Sequence, residues 1–289
     1  MPQPKAKIGV IGGSGLYDIE GMTAVKEVNI DTPFGKPSDT IVTGKLGGVG
    51  IAFLPRPGKG HRILPAEVPS RANIYALKSL GVEHIIAVCS AGSFKKEIEP
   101  GHLLIPDQLI DRTRSRPSTF FGEGIVAHVP FADPFCPELS EVLYDSATAV
   151  GATVHPKGTF VVMEGPAFST RAESRLYRSW GADLIGMTAL PEAKLAREAE
   201  ICYAIIGCVT DYDSWWQPGK PVTVDMILDT MHRNIDTAKA IIKLAVSRIP
   251  AKRNCPCPTA LETAIVTSPD RIPQAQKEKL DLIIGKYIK

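Results

Sequence analysis

Short apolar runs recur along the chain at Lys7–Ile11, Thr40–Lys45, Val49–Leu54, His84–Val88, Leu103–Leu109, Gly158–Met163, Asp183–Met187 and Cys202–Val209. Several are almost uninterrupted, the pattern of strands covered on both faces. Between them the spacing turns helical. Arg71–Leu80 places Ile74, Leu77 and Leu80 on one side, and Pro137–Val150, Thr170–Trp180 and Leu190–Glu200 have similar length. The longest predicted helix starts near Thr223, an N-cap residue type, and runs to about Arg248. Ile227, Met231, Ile235, Ala238, Ile242 and Ala245 form its buried stripe. Alternation of strands and helices predicts an α/β fold, a single domain built on a mixed sheet with helices on its faces.

One composition shift interrupts this pattern, at the Pro-rich segment Ile249–Pro258. Beyond it come a short helix and an amphipathic one near Gln274–Tyr287. The expected organisation is therefore a domain over residues 1–248, with 249–289 as a linker and C-terminal helical appendage of the same domain.

Composition narrows the classes. With 33 Lys+Arg against 31 Asp+Glu the formal charge is +2, which argues against a nucleic-acid coat. No apolar run reaches the roughly 18 residues of a membrane helix, and the N-terminus lacks a signal-peptide core. The expectation is a cytoplasmic protein with neither nucleic acid nor membrane as partner. Cys89, Cys202 and Cys208 lie in apolar runs, where a thiol packs as a small hydrophobe. Cys255 and Cys257 form a CPC pair. Two cysteines with no histidine nearby cannot close a zinc site, so no metal is expected there. Free surface thiols and a tail disulfide both remain open for the pair.

Candidate chemistry sits at strand ends. Gly12-Gly13-Ser14-Gly15 follows the first strand and suits close approach to an anion. Asp18 stands where a dinucleotide fingerprint needs its third glycine, and no Gly-Lys-Ser/Thr follows for a P-loop. Arg56-Pro57-Gly58-Lys59-Gly60-His61-Arg62 is a basic loop in which an arginine fork could grip an anion or simply face solvent. Asp211-Tyr212-Asp213 ends a buried strand, the place where ligands sit in α/β sheets. Its two carboxylates can point the same way, one held protonated by burial and by its neighbour. Ser90 to Ser93, Glu164 to Ser169 and Gly186-Met187-Thr188 occupy comparable ends. There is no HExxH, no paired CxxC and no Ser-His-Asp set.

In order along the chain, VIGGSGLYD, DTPFGKPSD, RPGKGH, RANIYALKSLG, ADPFC, EGPAFSTRAES, GMTALPEAKLAREA and ICYAIIGCVTDYDSW resemble the 5′-methylthioadenosine phosphorylases of the trimeric nucleoside phosphorylase family. The resemblance spans roughly residues 7 to 245. It implies metal-free and cofactor-free phosphorolysis of methylthioadenosine, with inorganic phosphate as co-substrate, to adenine and 5-methylthioribose-1-phosphate. It also implies a homo-oligomer, a trimer. By the same resemblance Ser14, Arg56, Pro57, Cys89, Ser90 and Thr188 line the phosphate. Met187 packs on the ribose, Phe168 stacks on the purine, and Ser169 orients the acid pair. Asp211 is the catalytic acid at purine N7, and Asp213 accepts from the 6-amino group. Val224 shapes the methylthio pocket, and His128 reaches it from the neighbouring subunit. Relatives that take 6-oxopurines typically carry Asn where Asp211 stands, so DYD implies adenine.

Three departures qualify the resemblance. The family usually reads Arg-His-Gly where this chain has Arg56-Pro57-Gly58, and proline removes a side-chain donor and a backbone N–H. Ala167 replaces a long polar residue, and Pro69-Ser70 an Asn-Tyr pair. Two alternatives follow: a phosphorylase for adenosine or another 5′-modified nucleoside, and a nucleoside-binding homologue whose phosphate site is weakened by Pro57.

Overall fold

The computed structural model describes residues 5–13, 15, 16, 18–216 and 224–288, with the side chains of 224–229, 231 and 232 excepted. Among these residues eleven strands form one mixed sheet. They are β1 (Ile8–Gly12), β2 (Thr23–Val28), β3 (Ile41–Leu46), β4 (Val49–Pro55), β5 (His84–Ser93), β6 (Leu103–Leu104), β7 (Gln108–Arg112), β8 (Val154–His155), β9 (Thr159–Met163), β10 (Leu184–Gly186) and β11 (Cys202–Tyr212). The helices are α1 (Ser70–Ser79), α2 (Pro137–Ala149), α3 (Arg171–Ser179), α4 (Glu192–Glu198), α5 (Val224–Arg248) and α6 (Gln274–Ile284).

The parallel core explains the near-continuous apolar runs. β1 pairs in parallel with β4 and β5, and β5 with β11, so helices must cover both faces. All five residues of β1 are buried, as are the first nine of β11. Because these strands run the same way, Gly12, Pro55, the end of β5 and Asp211 converge at one edge. α5 packs on β11, where Asn234 Nδ2 donates to Val209 O at 3.2 Å. Ala238, Ile241, Ile242 and Ala245 are its buried stripe.

One predicted strand is divided, and one observed strand was not predicted. Leu103–Leu109 is not one strand: β6 and β7 flank Ile105–Asp107, where Pro106 has no N–H to donate. β2 carries no apolar periodicity because it is an exposed strand paired on β3. Beyond α5, Leu261, Ala264, Leu280, Ile283 and Ile284 are buried in the same apolar cluster as residues of β5, β9 and β11.

The tie between two distant parts of this edge is ionic. Arg56, just after β4, is 4% exposed, and Glu192, the first residue of α4, is 1% exposed. Arg56 Nε and Nη2 donate to Glu192 Oε1 and Oε2 at 2.5 and 3.0 Å, and Tyr203 Oη donates to Oε2 at 3.0 Å. Removing one partner of a buried pair strands the other charge. Glu192→Gln is therefore expected to lower unfolding free energy by about 3–5 kcal/mol, read from urea melts. A loss under about 1 kcal/mol would show that the pair does not hold this edge.

Candidate active site

The Gly-rich turn and the basic loop are brought together. Arg56 N donates to Gly12 O at 2.8 Å, so the end of β4 is bonded to the end of β1. Gly15, at φ 106°, takes a backbone conformation that side chains avoid, which permits the tight turn. Ser14 itself lies outside the described residues. Ile235 of α5 packs beside this turn, about 3.8 Å from where a Cβ on Gly15 would sit.

In the basic loop Arg56 turns its fork on the Glu192 carboxylate, and Nη1 and Nη2 also donate to Val88 O and Ile11 O at 3.0 and 3.4 Å. Four of its five N–H donors are thus engaged. Burial opposes its charge, but the Glu192 carboxylate more than offsets that, and its pKa is raised. Lys59 pairs with Glu27 and Arg62 with Asp39. The loop amides turn inward: Gly58 N donates to Pro55 O, Arg62 N and Ile63 N to Pro57 O, and Lys59 N to Asp39 Oδ2. Pro57 is buried and contributes no donor of its own.

The opposite wall is built from β5 and β10. Cys89 is buried, and Thr188 Oγ1 donates to its Sγ at 3.4 Å, so these two predicted phosphate residues meet beside Arg56. Ser90 is exposed at the same strand end. Met187 packs on the Gly165–Pro166 turn, so closely that a Cβ on Gly165 would lie 2.5 Å from its Sδ. Met187 O accepts from Arg116 Nη1 at 2.6 Å. Arg116 also donates to Leu190 O, Met163 O and Glu164 O, tying three strand-end loops into one rim. Sequence reasoning missed both Glu192 and Arg116. A lone Arg or Glu gives no local sign that it will be buried against a distant partner.

Both carboxylates of the DYD motif reach one spot. A Cβ on Gly92 would lie 3.2 Å from Asp211 Oδ2 and 3.3 Å from Asp213 Cβ, so a side chain there would crowd the pair. A bulge in β11 sets this up: Val209 pairs with Ala91 and Asp211 with Gly92, leaving Thr210 as the extra residue. Thr210 Oγ1 donates to Asp211 Oδ1 at 2.6 Å. Burial raises the Asp211 carboxyl above the usual range, against that hydroxyl's opposing pull. Asp213 is pushed up to about 6, by burial first and by the Asp211 charge as well. The Ser174 and Ser169 hydroxyls and the Ser214 amide pull it down. Asp213 Oδ2 is nonetheless buried without a hydrogen-bond partner among the described residues. A buried acceptor left open in this way suits a donor on a ligand.

Ser169 is buried beneath the pair, its carbonyl held by Ser214 Oγ at 2.8 Å. Phe168, next to it, presents half of its surface at 51% exposure. His128 is not brought to this cluster by its own chain. It is exposed, on a segment paired with the tail through His128 N and Ala264 O at 2.9 Å. Val224 begins α5, and its side chain lies outside the described residues, as does Thr223.

The cysteines depart furthest from expectation. Cys257 is buried and Cys255 half-buried, so the CPC pair is not a pair of surface thiols, and all six cysteines are unbridged. Cys136 and Cys202, remote in sequence, lie against them. Counting only sequence neighbours hid that.

Known proteins place this arrangement in a family. Residues 7–247 match the phosphorylase superfamily. The chain is 58% identical to the S-methyl-5′-thioadenosine phosphorylase of Geobacter sulfurreducens, over 97% of this chain and 99% of that one. It is 51% identical to the enzyme of that name from Hyperthermus butylicus, over 92% and 97%. A methylthioadenosine phosphorylase from an Antarctic soil metagenomic library superposes with a TM-score of 0.93 at 47% identity, covering 97% and 99% of the two chains. A variant of the adenosine/methylthioadenosine phosphorylase of Schistosoma mansoni, solved with methylthioadenosine, gives 0.81 at 39% identity over 86% and 93%. With its mixed sheet, strand-end site and paired carboxylates, the chain belongs to the S-methyl-5′-thioadenosine phosphorylases of the phosphorylase superfamily.

Proposed function

We propose that the chain catalyses phosphorolysis of S-methyl-5′-thioadenosine to adenine and 5-methylthioribose-1-phosphate, with phosphate as co-substrate and no further cofactor. The observation that carries this reading is the pair Asp211 and Asp213, buried together against Gly92 with one oxygen open. Cleavage of the C–N bond leaves the ribosyl group cation-like and builds negative charge on the purine. A carboxylic acid at N7 neutralises that charge, worth about 10²–10⁴-fold in rate. Asp211, raised by burial, takes that role. Asp213 Oδ2 accepts from the 6-amino group, Phe168 stacks on the ring, and Ser169 steadies the pair from below.

Phosphate binds on the other side of the ribose. Because the loop amides are turned inward, its donors are Ser14 and the Gly-rich turn, Ser90 and Thr188, beside Cys89. Arg56 and Pro57 form the floor, with Arg56 supplying positive charge more than hydrogen bonds. Fixed charge and donors aimed at the nucleophile lower the barrier by proximity and electrostatics. Met187 packs on the ribose, and Val224 and His128 of a neighbouring subunit close the methylthio end in a trimer. Residues 1–248 act as the catalytic domain and 249–289 as its appendage. Among the described residues no helix is long and apolar enough to cross a membrane, which fits a cytoplasmic salvage enzyme of purine and methionine metabolism.

A second reading, adenosine as the better substrate, is favoured by the dual name of the Schistosoma mansoni relative. The ratio of kcat/KM for the two nucleosides decides it, and a preference for the free 5′-hydroxyl would replace the first reading.

Asp211→Asn is expected to cut kcat/KM for adenine release by about 10²–10⁴ with little change in melting temperature. Wild-type chain releasing no adenine at millimolar phosphate would sink the phosphorylase reading. Asp213 must be ionised to accept from the amino group, so kcat/KM should rise as pH increases through about 6, and Asp213→Asn should lose that limb. For stability the sign is opposite. Between 3.8 and about 6 the unfolded carboxyl is charged while the folded one keeps its proton, so this group's contribution to stability is lost as pH rises through that window. Pro57→His restores a donor at the floor and should lower the phosphate KM severalfold. An unchanged KM would mean that the Gly-rich turn and Thr188 already carry the anion.

A further inference from the structure

The four cysteines at the start of β11 form a cluster that the phosphorolysis chemistry does not use. Cys136 caps α2, and its amide donates to Tyr203 O at 2.9 Å, which holds it beside Cys202, the first residue of β11. Cys202 N in turn donates to Glu83 O at 2.9 Å. The linker after α5 then returns to this edge. Arg253 Nη1 donates to Glu200 O at 2.9 Å, and Asn254 N to Glu138 Oε2 at 3.2 Å. These bonds lay Cys255 and Cys257 over the other two.

The four Sγ atoms all lie within 4.8 Å of one another, with Cys202 and Cys255 at 3.4 Å. A disulfide needs about 2.05 Å, and no pair is bridged. Four thiolates about 2.3 Å from one tetrahedral ion stand about 3.8 Å apart. The cluster already has that spacing to within about an ångström. We propose that Cys136, Cys202, Cys255 and Cys257 bind one zinc ion as a structural tetrathiolate centre.

Sulfur-only tetrahedral sets select zinc or iron–sulfur chemistry, and four single-atom ligands around one point fit a lone ion. Binding exchanges four thiol protons for the metal, with no redox step, and leaves a net charge of −2 on the centre. Positive potential is at hand to balance it: Cys136 sits at the N-terminal end of α2, and Arg197 acts on Cys257. All four coordination positions are filled by protein, so the ion has no open site for chemistry. It also sits at the opposite end of β11 from Asp211, nine residues and about 30 Å away along the strand. Its work is to fasten the linker, and with it the buried Leu261, Leu280, Ile283 and Ile284, to the sheet and α2.

The test is metal analysis of the full-length chain purified in reductant and desalted. We expect about one zinc per chain, released when a mercurial thiol reagent is added, and replacement by cobalt to give the intense visible bands of tetrahedral cobalt thiolate. Cys255→Ser/Cys257→Ser should lose the zinc and melt at lower temperature while keeping the wild-type KM for methylthioadenosine. Three results would overturn the proposal: no zinc bound or taken up by reduced wild-type chain, iron in its place, or intact-mass analysis showing the four sulfurs joined as disulfides. A double variant that loses zinc but melts as wild type would overturn the fastening role.

Discussion

Much of this molecule hangs on one buried ion pair. Arg56 leaves β4 and Glu192 begins α4, 136 residues apart, and each is nearly inaccessible to water. Burying either charge alone would be prohibitive, so each fixes where the other must be. The guanidinium draws in the carbonyls of Ile11 and Val88 as well, which pins the ends of β1, β4 and β5 around one planar group. The strand edge that carries the Gly-rich turn, Cys89 and Thr188 is thereby assembled around a charge the site can feel. A lysine here would keep the charge and lose the fork that reaches both Glu192 oxygens.

The other wall obeys a different constraint, the exclusion of side-chain bulk. Gly92 is the place where the Asp211 carboxylate, Asp213 Cβ and Ile185 crowd the backbone, and Gly165 is where Met187 rests. Near these absences of a Cβ the acids are packed deeply enough for burial to push both upward. The arrangement leaves Asp213 Oδ2 without a partner among the described residues, a local cost to the folded chain that a hydrogen-bond donor on a ligand would remove. Stability and recognition are opposed at that atom.

The strands of the parallel core were legible because continuous apolar runs are a local signal that burial on two faces demands. β2 was not, because an exposed strand such as Thr23–Val28 needs only its backbone to pair. The DYD motif, the EGPAFST turn and Thr188 could be read from their places at strand ends. What Arg56 does with its fork could not, since its partner is an ordinary Glu within a helical pattern. Arg116 was silent for the same reason: its partners are main-chain carbonyls, which every residue has. Cys255 and Cys257 were judged by their neighbours in sequence, whereas burial at Cys136 and Cys202 is decided by how α2 and β11 meet.

The bulge in β11 has a consequence for how this site varies. β11 spends two residues, Thr210 and Asp211, where β5 spends Gly92 alone. Side chains alternate along a strand, so deletion of one residue between Cys202 and Asp211 would turn the motif to the other face of the sheet. Every letter of Asp-Tyr-Asp would survive, and the carboxylates would face away from Gly92 and the strand-end site. In this strand the chemistry is carried by the number of residues as much as by their identity.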